Sequence, residues 1–296
     1  MRITKFTDAE PRPRKIAVGE FDGVHLGHRE VIRGNDTVLT FEPHPLRVVR
    51  PEAAPKLLTS LEAKAELIEG LGVEELVVIP FDKGFAHQSA REFIDLVLVE
   101  RLQATHVSVG ENFRFGHLAS GDPELLAADG RFELRVVPLV EVDGEIVSSS
   151  HIRGLVLVGD VGLAARFLGA PFQLRGEVVR GEQRGRTLGF PTANIVPDED
   201  LVCPGHGIYA ARANEDCTAV SIGVRPTFGT GRAVLVEAYV LDRQIDLYGQ
   251  ILKLDFLERL RGERRFESSE ALVRQMHQDA ERARELCRKA PTDGFQ

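Results

Sequence analysis

Two histidines in a glycine-rich stretch are the first candidates for chemistry. Residues 19–28 read Gly-Glu-Phe-Asp-Gly-Val-His-Leu-Gly-His, with imidazoles at His25 and His28 and a glycine at every fourth position. Glycines at this spacing let the backbone turn sharply and approach a ligand closely. The stretch leads into a predicted helix start, where free N–H groups favour an anion. Because imidazoles can donate to phosphate oxygens, the pattern indicates a nucleotide phosphate site.

Two other interpretations of the histidine pair stay open on the residues alone. His25 and His28 could be metal ligands, although no third Cys or His follows at a usual ligand spacing. The glycines could also form a turn that binds nothing, since glycine often serves backbone geometry only.

Length and composition narrow the class of protein. The 296 residues are enough for two domains, and a net charge of −8 argues against nucleic acid as the main partner. No apolar run of membrane-spanning length is present, and the polar N-terminus is not a signal peptide. Three scattered cysteines predict neither a disulfide framework nor a zinc site. We therefore expect a soluble cytoplasmic protein.

The first half alternates strand and helix patterns. The predicted strands are 15–18 (the first), 37–41, 75–80, 106–110 and 133–138, and the predicted helices are 60–71, 89–102, 123–129 and 161–168. A short helix should also follow His25 and end by about Asn35, because residues 34–36 form an early stop. This alternation predicts a doubly wound parallel sheet, in which ligands bind beyond the carboxyl ends of the strands. Polar stretches 19–28, 41–45, 110–116 and 148–153 each follow a strand, so we expect them to converge on one edge.

Beyond residue 169 the pattern changes to period two. The predicted strands are 174–179, 208–213, 218–222, 233–241 and 250–256, and a helix capped by Ser268 or Ser269 follows them. Short strands without intervening helices predict an antiparallel barrel or sandwich. The fold is thus α/β plus β, with domains 1–168 and 169–296.

The second half has its own polar stretch. Thr192 and Asn194 are two apart, so in an extended segment both side chains face the same way. Their oxygens could hold Mg²⁺ with ATP phosphates, although such residues in a loop often make only turn hydrogen bonds. The residues from Gly181 to Thr187 are one short of a P-loop and have Arg in place of Lys, so that interpretation is rejected.

Glu237 is the lone charge on a predicted strand. Its neighbours along residues 234–241 are apolar or aromatic, which predicts a strand buried on both faces. An unpaired buried carboxylate is costly, so a functional or metal-linked role is favoured. An edge position from which Glu237 reaches solvent is the alternative.

The ten-residue form of the first stretch resembles the signature of the bacterial bifunctional riboflavin kinase/FMN adenylyltransferases, or FAD synthetases. Its short core, His-x-Gly-His, is shared by several other adenylyl- and cytidylyltransferases. Stretches 41–45, 110–116 and 148–153 also match the adenylyltransferase module, while 189–194, 205–210, 225–228, 246–249 and 260–266 occur in the order seen in riboflavin kinases. The resemblance covers residues 16–284, with a helix after His28 that is shorter than usual for the family.

The resemblance implies a Rossmann-like nucleotidyltransferase domain that joins FMN to the adenylyl group of ATP. His25 and His28 would hold ATP phosphates while the FMN phosphate attacks the α-phosphorus, and Arg153 would close on the phosphates. The remaining substrate-binding residues of this domain would be Gly19, Phe21, Asp22, Gly23, Asn112 and Ser149.

For the second domain the resemblance implies an antiparallel β-barrel riboflavin kinase with a terminal helix. Glu237 would be the general base for riboflavin's ribityl hydroxyl, and Thr192 and Asn194 would bind Mg²⁺ and ATP. Gly185 and Arg225 would also contact the substrates. The competing functions are an adenylyltransferase for another small phosphate and a flavin- or nucleotide-binding protein with impaired catalysis. The sequence specifies no oligomeric state.

Overall fold

The computed structural model describes residues 1–180, 190–227, 231–243 and 247–290. The chain divides into two compact units, Met1–Ser149 and Ser150–Gln296. Within the described residues, no helix is long and apolar enough to cross a membrane. The domain boundary after residue 168 stays a prediction.

The first unit contains a six-stranded parallel sheet and the helices that cross over between its strands. The strands are β1 (Arg2–Lys5), β2 (Arg14–Val18), β3 (Thr37–Glu42), β4 (Glu75–Pro80), β5 (Ala104–Gly110) and β6 (Glu133–Val137), with a small hairpin of β7 (Glu141–Val142) and β8 (Glu145–Ile146). The helices are α1 (Leu26–Ile32), α2 (Pro45–Val49), α3 (Leu61–Glu69), α4 (Lys83–Ala86), α5 (Ala90–Glu92) and α6 (Pro123–Ala127), and a π-helical segment, Phe93–Arg101, continues α5.

The strand order in this sheet is β1-β4-β3-β2-β5-β6. All five neighbouring pairs are parallel, as the alternating sequence pattern predicts. The order reverses direction at β2, because β3 lies on one side of it and β5 on the other. In sheets of this kind the crevice at such a reversal is the usual place for a ligand.

One prediction for the sheet is wrong. The strand at residues 15–18 is the second, because β1 precedes it and pairs with β4 at the edge of the sheet. Its side chains are mostly exposed, including Ile3 at 57%. An edge strand buries little and therefore has no apolar run that would identify it.

Local chemistry accounts for the helix ends that position the site. Helix α1 has seven residues and ends at Ile32, which confirms the short helix predicted after His25. The side-chain amide of Asn35 donates to the carbonyl oxygens of Val31 and Ile32 at 3.0 and 3.1 Å, and so binds carbonyl groups at the helix end. Helix α3 begins after Ser60, whose Oγ caps the helix by accepting from Ala63 N.

The second unit is built around a closed barrel. Its strands are β9 (Phe172–Val179), β10 (Ala193–Pro197), β11 (Gly207–Ala213), β12 (Asp216–Thr227), β13 (Gly231–Val240) and β14 (Ile251–Arg261). They close in the order β10-β13-β12-β11-β14-β9, and every neighbouring pair is antiparallel. The helices are α7 (Ser149–Val158), α8 (Val161–Leu168) and α9 (Ser269–Lys289).

Helix α9 packs on the barrel through its apolar face. Ala280 and Ala283 are buried in a cluster with Ala210 and Leu241. Arg261 of β14 binds the buried carboxylate of Asp279, with Nη2 to Oδ2 at 2.7 Å. The terminal helix is therefore held by both apolar and ionic contacts.

The prediction that no disulfide is present is wrong. Cys217 at the start of β12 is bonded to Cys287 near the end of α9, 70 residues further along the chain. The sequence alone does not show that α9 folds back onto this end of β12. Cys203 is free.

A buried ion pair joins three strands of the first unit. Arg14 of β2 and Glu75 of β4 are 1% exposed, and Arg14 Nε lies 2.9 Å from Glu75 Oε2. Arg12 and Thr4 also donate to this carboxylate. Burial raises the pKa of Glu75, but the hydrogen bonds from Arg14, Thr4 and Arg12 outweigh it and lower the pKa to about 2.

We expect Glu75→Ala to lower the free energy of unfolding of the first unit by about 3–5 kcal/mol, because it leaves Arg14 buried without its counter-charge. All three tyrosines, Tyr209, Tyr239 and Tyr248, lie in the second unit, and the chain has no Trp. Urea unfolding followed by far-UV circular dichroism should therefore shift, while tyrosine fluorescence should not.

Exposed Glu74 provides the matched control, Glu74→Ala, which should leave both signals unchanged. The difference between Glu75→Ala and the parent should shrink as the pH falls from about 4.5 towards 2, since a carboxylate with a lowered pKa contributes its stability above that window. A constant difference across this range would contradict the assignment.

Candidate active sites

The loop after β2 has an unusual backbone. Phe21, Gly23 and Val24 have φ of 51°, 83° and 41°, in the left-handed region that a β-branched residue such as Val24 rarely adopts. A Cβ on Gly19 would lie 3.0 Å from the Phe21 ring, so glycine lets this ring pack against the backbone. Strain of this kind persists only where neighbouring contacts enforce it and is common at functional sites.

Asp22 supplies those contacts. Its Oδ1 accepts from the backbone N–H groups of Leu58 and Thr59 at 2.8 and 3.2 Å. Gly23 N donates to Thr59 Oγ1, and Ser149 Oγ donates to the Asp22 carbonyl oxygen at 2.9 Å. Asp22 thus joins the histidine loop (residues 19–28) to the segment that precedes α3 and to Ser149, the last residue of the first unit.

The two histidines form a stacked pair. Their ring centroids are 3.5 Å apart with an interplanar angle of 15°, and the His28 ring meets Phe21 edge-on. His25 Nδ1 accepts from the His28 backbone N–H at 3.2 Å, so its neutral ring has the proton on Nε2. His28 Nδ1 is buried and has no hydrogen-bond partner in the described part of the chain. The pair can therefore offer hydrogen bonds to a ligand.

Electrostatics keep His28 uncharged. Burial lowers the pKa of His28 well below 6.5, and electrostatic interactions with His25 and Lys64 lower the pKa further. The same surroundings raise the pKa of Glu20 to about 8, because burial and the charges of Asp22 and Glu42 outweigh the attraction of Lys64. At neutral pH the His28 imidazole is therefore neutral beside a buried lysine.

Sequence reasoning missed Lys64. This side chain is 3% exposed, although it lies on a helix whose other charges are exposed. A signal was present, since Lys64 is spaced three and four residues from Leu61 and Ile68, on the side of α3 that the periodicity assigned to the core.

The predicted convergence of stretches holds at the strand reversal. The histidine loop follows β2, and residues 110–116 follow β5, which is hydrogen-bonded to β2. Asn112 is exposed in this second turn, and a Cβ on Gly110 would lie 3.2 Å from its Oδ1. Ser149 reaches the loop through Asp22. In stretch 41–45, His44 caps α2 by accepting from Leu46 N.

Arg153 lies one turn after Ser149 on α7 and donates to Ser150 Oγ at 3.1 Å. It belongs to the second unit, so its role at the phosphates stays a prediction.

In the barrel, the strand register brings the predicted kinase residues together. Asn194 of β10 lies directly opposite Glu237 of β13, and Glu237 lies directly opposite Ser221 of β12. Directly opposed residues share a face, with Cβ atoms about 4.5–5.5 Å apart. Asn194 is 8% exposed, and Thr192 is partly buried two residues before it. The side-chain oxygens of Asn194, Glu237 and Ser221 therefore share one patch of the barrel.

The prediction that β13 is buried on both faces is wrong. Val236, Ala238 and Val240 are buried, whereas Leu235, Glu237 and Tyr239 are partly exposed. Tyr239 packs against Phe190 with centroids 5.1 Å apart, and Phe190 also contacts His277 of α9. The edge alternative is also wrong, because β13 is paired on both sides within the barrel. Glu237 thus lies on the partly exposed face of β13.

Two predicted residues cannot be placed. Gly185 lies outside the described residues, and Arg225 lies in β12 but its side chain is not described. Hydroxyl and amide oxygens such as those of Thr192 and Asn194 fit Mg²⁺, which prefers hard oxygen ligands.

The fold defines a class of protein: a doubly wound α/β unit combined with a closed antiparallel β-barrel. The FAD synthetase family profile matches residues 7–151, and the riboflavin kinase profile matches residues 168–287.

Full-length relatives identify the family. The chain is 37% identical over 293 residues to the bifunctional riboflavin kinase/FMN adenylyltransferase of Listeria monocytogenes, covering 93% of this chain and 92% of that protein. It is 35% identical over 289 residues to the enzyme of the same description from Escherichia coli K12, covering 92% of each. The chain belongs to the bifunctional riboflavin kinase/FMN adenylyltransferase family.

A solved structure shows the same architecture. It is a crystal structure from Streptococcus pneumoniae described as a macrolide-efflux protein, with a TM-score of 0.87 and 30% identity over 96% of this chain and 99% of that one.

Proposed function

We propose that this chain makes FAD from riboflavin in two steps, with the second unit as riboflavin kinase and the first as FMN adenylyltransferase. The proposal rests on the agreement between the positions of the two sites and the two family profiles. The histidine pair lies in the part matched by the FAD synthetase profile, and the Asn194–Glu237 register pair lies in the part matched by the riboflavin kinase profile. We place this enzyme in the cytoplasm, where its substrates riboflavin, FMN and ATP would meet it.

The adenylyl transfer needs positioning more than covalent chemistry. An oxygen of the FMN phosphate attacks the α-phosphorus of ATP, and the bond to the leaving pyrophosphate breaks with its electron pair. His25 Nε2–H and the His28 ring donate to phosphate oxygens as neutral groups, since the pKa of His28 lies well below 6.5. Fixed donors of this kind stabilise charge that develops in the transition state. Asn112 contacts the substrate, and Ser149 and Arg153 close on the phosphates.

The kinase step needs a base beside the nucleotide. Glu237 accepts the proton of riboflavin's ribityl hydroxyl as that oxygen attacks the γ-phosphorus of ATP. The bond from the γ-phosphorus to the β,γ-bridging oxygen breaks, and ADP leaves with its electron pair. Thr192 and Asn194 hold Mg²⁺, which supplies charge neutralisation for the phosphates when bound. Asn194 and Glu237 lie opposite each other on two hydrogen-bonded strands, β10 and β13. The sheet therefore holds the base and the nucleotide-binding group at a fixed spacing. Gly185 and Arg225 complete the predicted substrate contacts.

The purified full chain, given riboflavin, ATP and Mg²⁺, should yield FMN first and FAD second. Chromatography with fluorescence detection separates the two products. If folded protein bound flavin but formed neither product, a binding protein with impaired catalysis would replace this proposal. Pyrophosphate release with another phosphate substrate, and none with FMN, would favour the other adenylyltransferase function.

Glu237→Gln should suppress FMN formation, because the amide keeps the shape of the side chain but accepts no proton. The same preparation supplied with FMN and ATP should still form FAD at the parent rate. Glu258→Gln, at an exposed position on β14, is the matched control and should leave both steps unchanged. Equal loss of both activities in folded Glu237→Gln would mean that the two sites are wrongly assigned.

His28→Ala should have the converse effect, with FMN accumulating and no FAD following. Loss of one fixed donor costs roughly 3–4 kcal/mol, or about a hundred- to a thousand-fold in rate. His106→Ala, at a partly exposed histidine of β5, controls for removal of an imidazole. Unchanged FAD formation in His28→Ala would exclude the histidine pair from the adenylyl site.

A further inference from the structure

Lys64 is a buried lysine whose charge acts on the histidine loop. Its side chain is 3% exposed on α3, between Ala63 and Ala65, which are also buried. Among the described residues, Lys64 forms no hydrogen bond or ion pair, and its charge interacts with Glu20 of the histidine loop. Lysine is almost never fully buried unless it is paired, and an uncompensated buried charge costs several kcal/mol.

The fold fixes Lys64 relative to the histidine loop. Asp22 of the loop accepts from the backbone of Leu58 and Thr59, immediately before the Ser60 cap of α3. On the helix itself, Ala65 and Ile68 pack in one apolar cluster with Phe21 and Val24 of the loop. Lys64 therefore cannot move away from the loop without breaking polar and apolar contacts together.

The charge of Lys64 acts on the catalytic surroundings. It lowers the pKa of His28. It also lowers the pKa of Glu20, but burial raises that pKa by more, so the Glu20 carboxyl is largely protonated at neutral pH. The nearby Arg29 donates from Nε to the Val24 carbonyl oxygen. The neutral imidazoles supply hydrogen bonds, while Lys64 supplies a formal positive charge beside them.

We propose that Lys64 is a phosphate-binding residue of the adenylyl-transfer site, where its ammonium group binds a non-bridging oxygen of the ATP triphosphate beside His28. This inference rests on the proposed assignment of adenylyl transfer to the histidine loop. When the FMN oxygen bonds to the α-phosphorus, the departing pyrophosphate takes the electron pair of the broken bond. Lys64 stabilises that added negative charge, and no proton has to move.

The test uses the full chain with Lys64→Met, which removes the charge and keeps a long unbranched side chain. With FMN and ATP as substrates, kcat/KM for ATP should fall on the order of a hundred-fold, in line with loss of one fixed electrostatic contact. Pyrophosphate, as a product inhibitor, should also bind at least ten-fold more weakly. Lys64→Arg should keep both properties within about ten-fold, because it restores the charge.

Three controls separate this role from a structural one. Riboflavin phosphorylation by the same preparation should be unchanged, and far-UV circular dichroism should match the parent. Lys56→Met, at an exposed lysine of the preceding segment, should leave FAD formation and pyrophosphate inhibition intact. If Lys64→Met fails to fold, the folded Lys64→Arg variant still tests the proposal. If pyrophosphate no longer inhibited the Lys64→Arg variant while its kinase step stayed intact, a role based on charge would be overturned.

The double variant Glu20→Gln with Lys64→Met tests the remaining alternative. If Lys64 only offsets Glu20, the double variant should regain adenylyl transfer, and that result would overturn the proposal. Parent-like ATP kinetics and pyrophosphate inhibition in Lys64→Met would overturn it as well. If His28→Ala is inactive in that case, the proposed function stands without Lys64. If both variants keep full activity, the adenylyl site itself lies elsewhere.

Discussion

The first unit depends on the carboxylate of Asp22 as an acceptor for backbone groups. The backbone N–H groups of Leu58 and Thr59 donate to its Oδ1. These hydrogen bonds join the histidine loop to the segment that precedes α3. The left-handed backbone at Phe21 and Val24 requires such enforcement, because neither residue favours it in isolation. The Asp22 side chain thus determines where the stacked imidazoles lie. It also determines how close α3 comes to them.

The two units bring polar side chains together by different structural means. The first unit uses loops at the carboxyl ends of adjacent parallel strands, β2 and β5, so its site is assembled from segments far apart in sequence. The second unit uses strand register, which places Asn194, Glu237 and Ser221 side by side on a closed barrel. Loops held by hydrogen bonds can adapt their shape, whereas a barrel face holds opposed side chains at a fixed spacing.

Much of this was predictable from the sequence, and the reasons differ by element. Helix α8 has the predicted bounds because Asp160 caps it and Gly169 ends it in a left-handed conformation, and both signals are local. The histidine loop was recognisable from residue types and spacing. Strand β1, the outward face of β13 and the Cys217–Cys287 bond were missed because each depends on which distant segment lies alongside. Lys64 was missed because the periodicity of a helix predicts which side is buried. It does not predict which groups surround a lysine on that side.

The bond between Cys217 and Cys287 makes a covalent ring of the chain from β12 to α9. A protease that cuts once inside this ring releases no fragment, because the two ends remain joined through sulfur. Nicked protein would run as one species without thiol and as two pieces with it. The ring also means that an extension added after α9 pulls on the barrel strand β12 itself, so a load applied at the C-terminus passes into the sheet instead of unwinding the last helix.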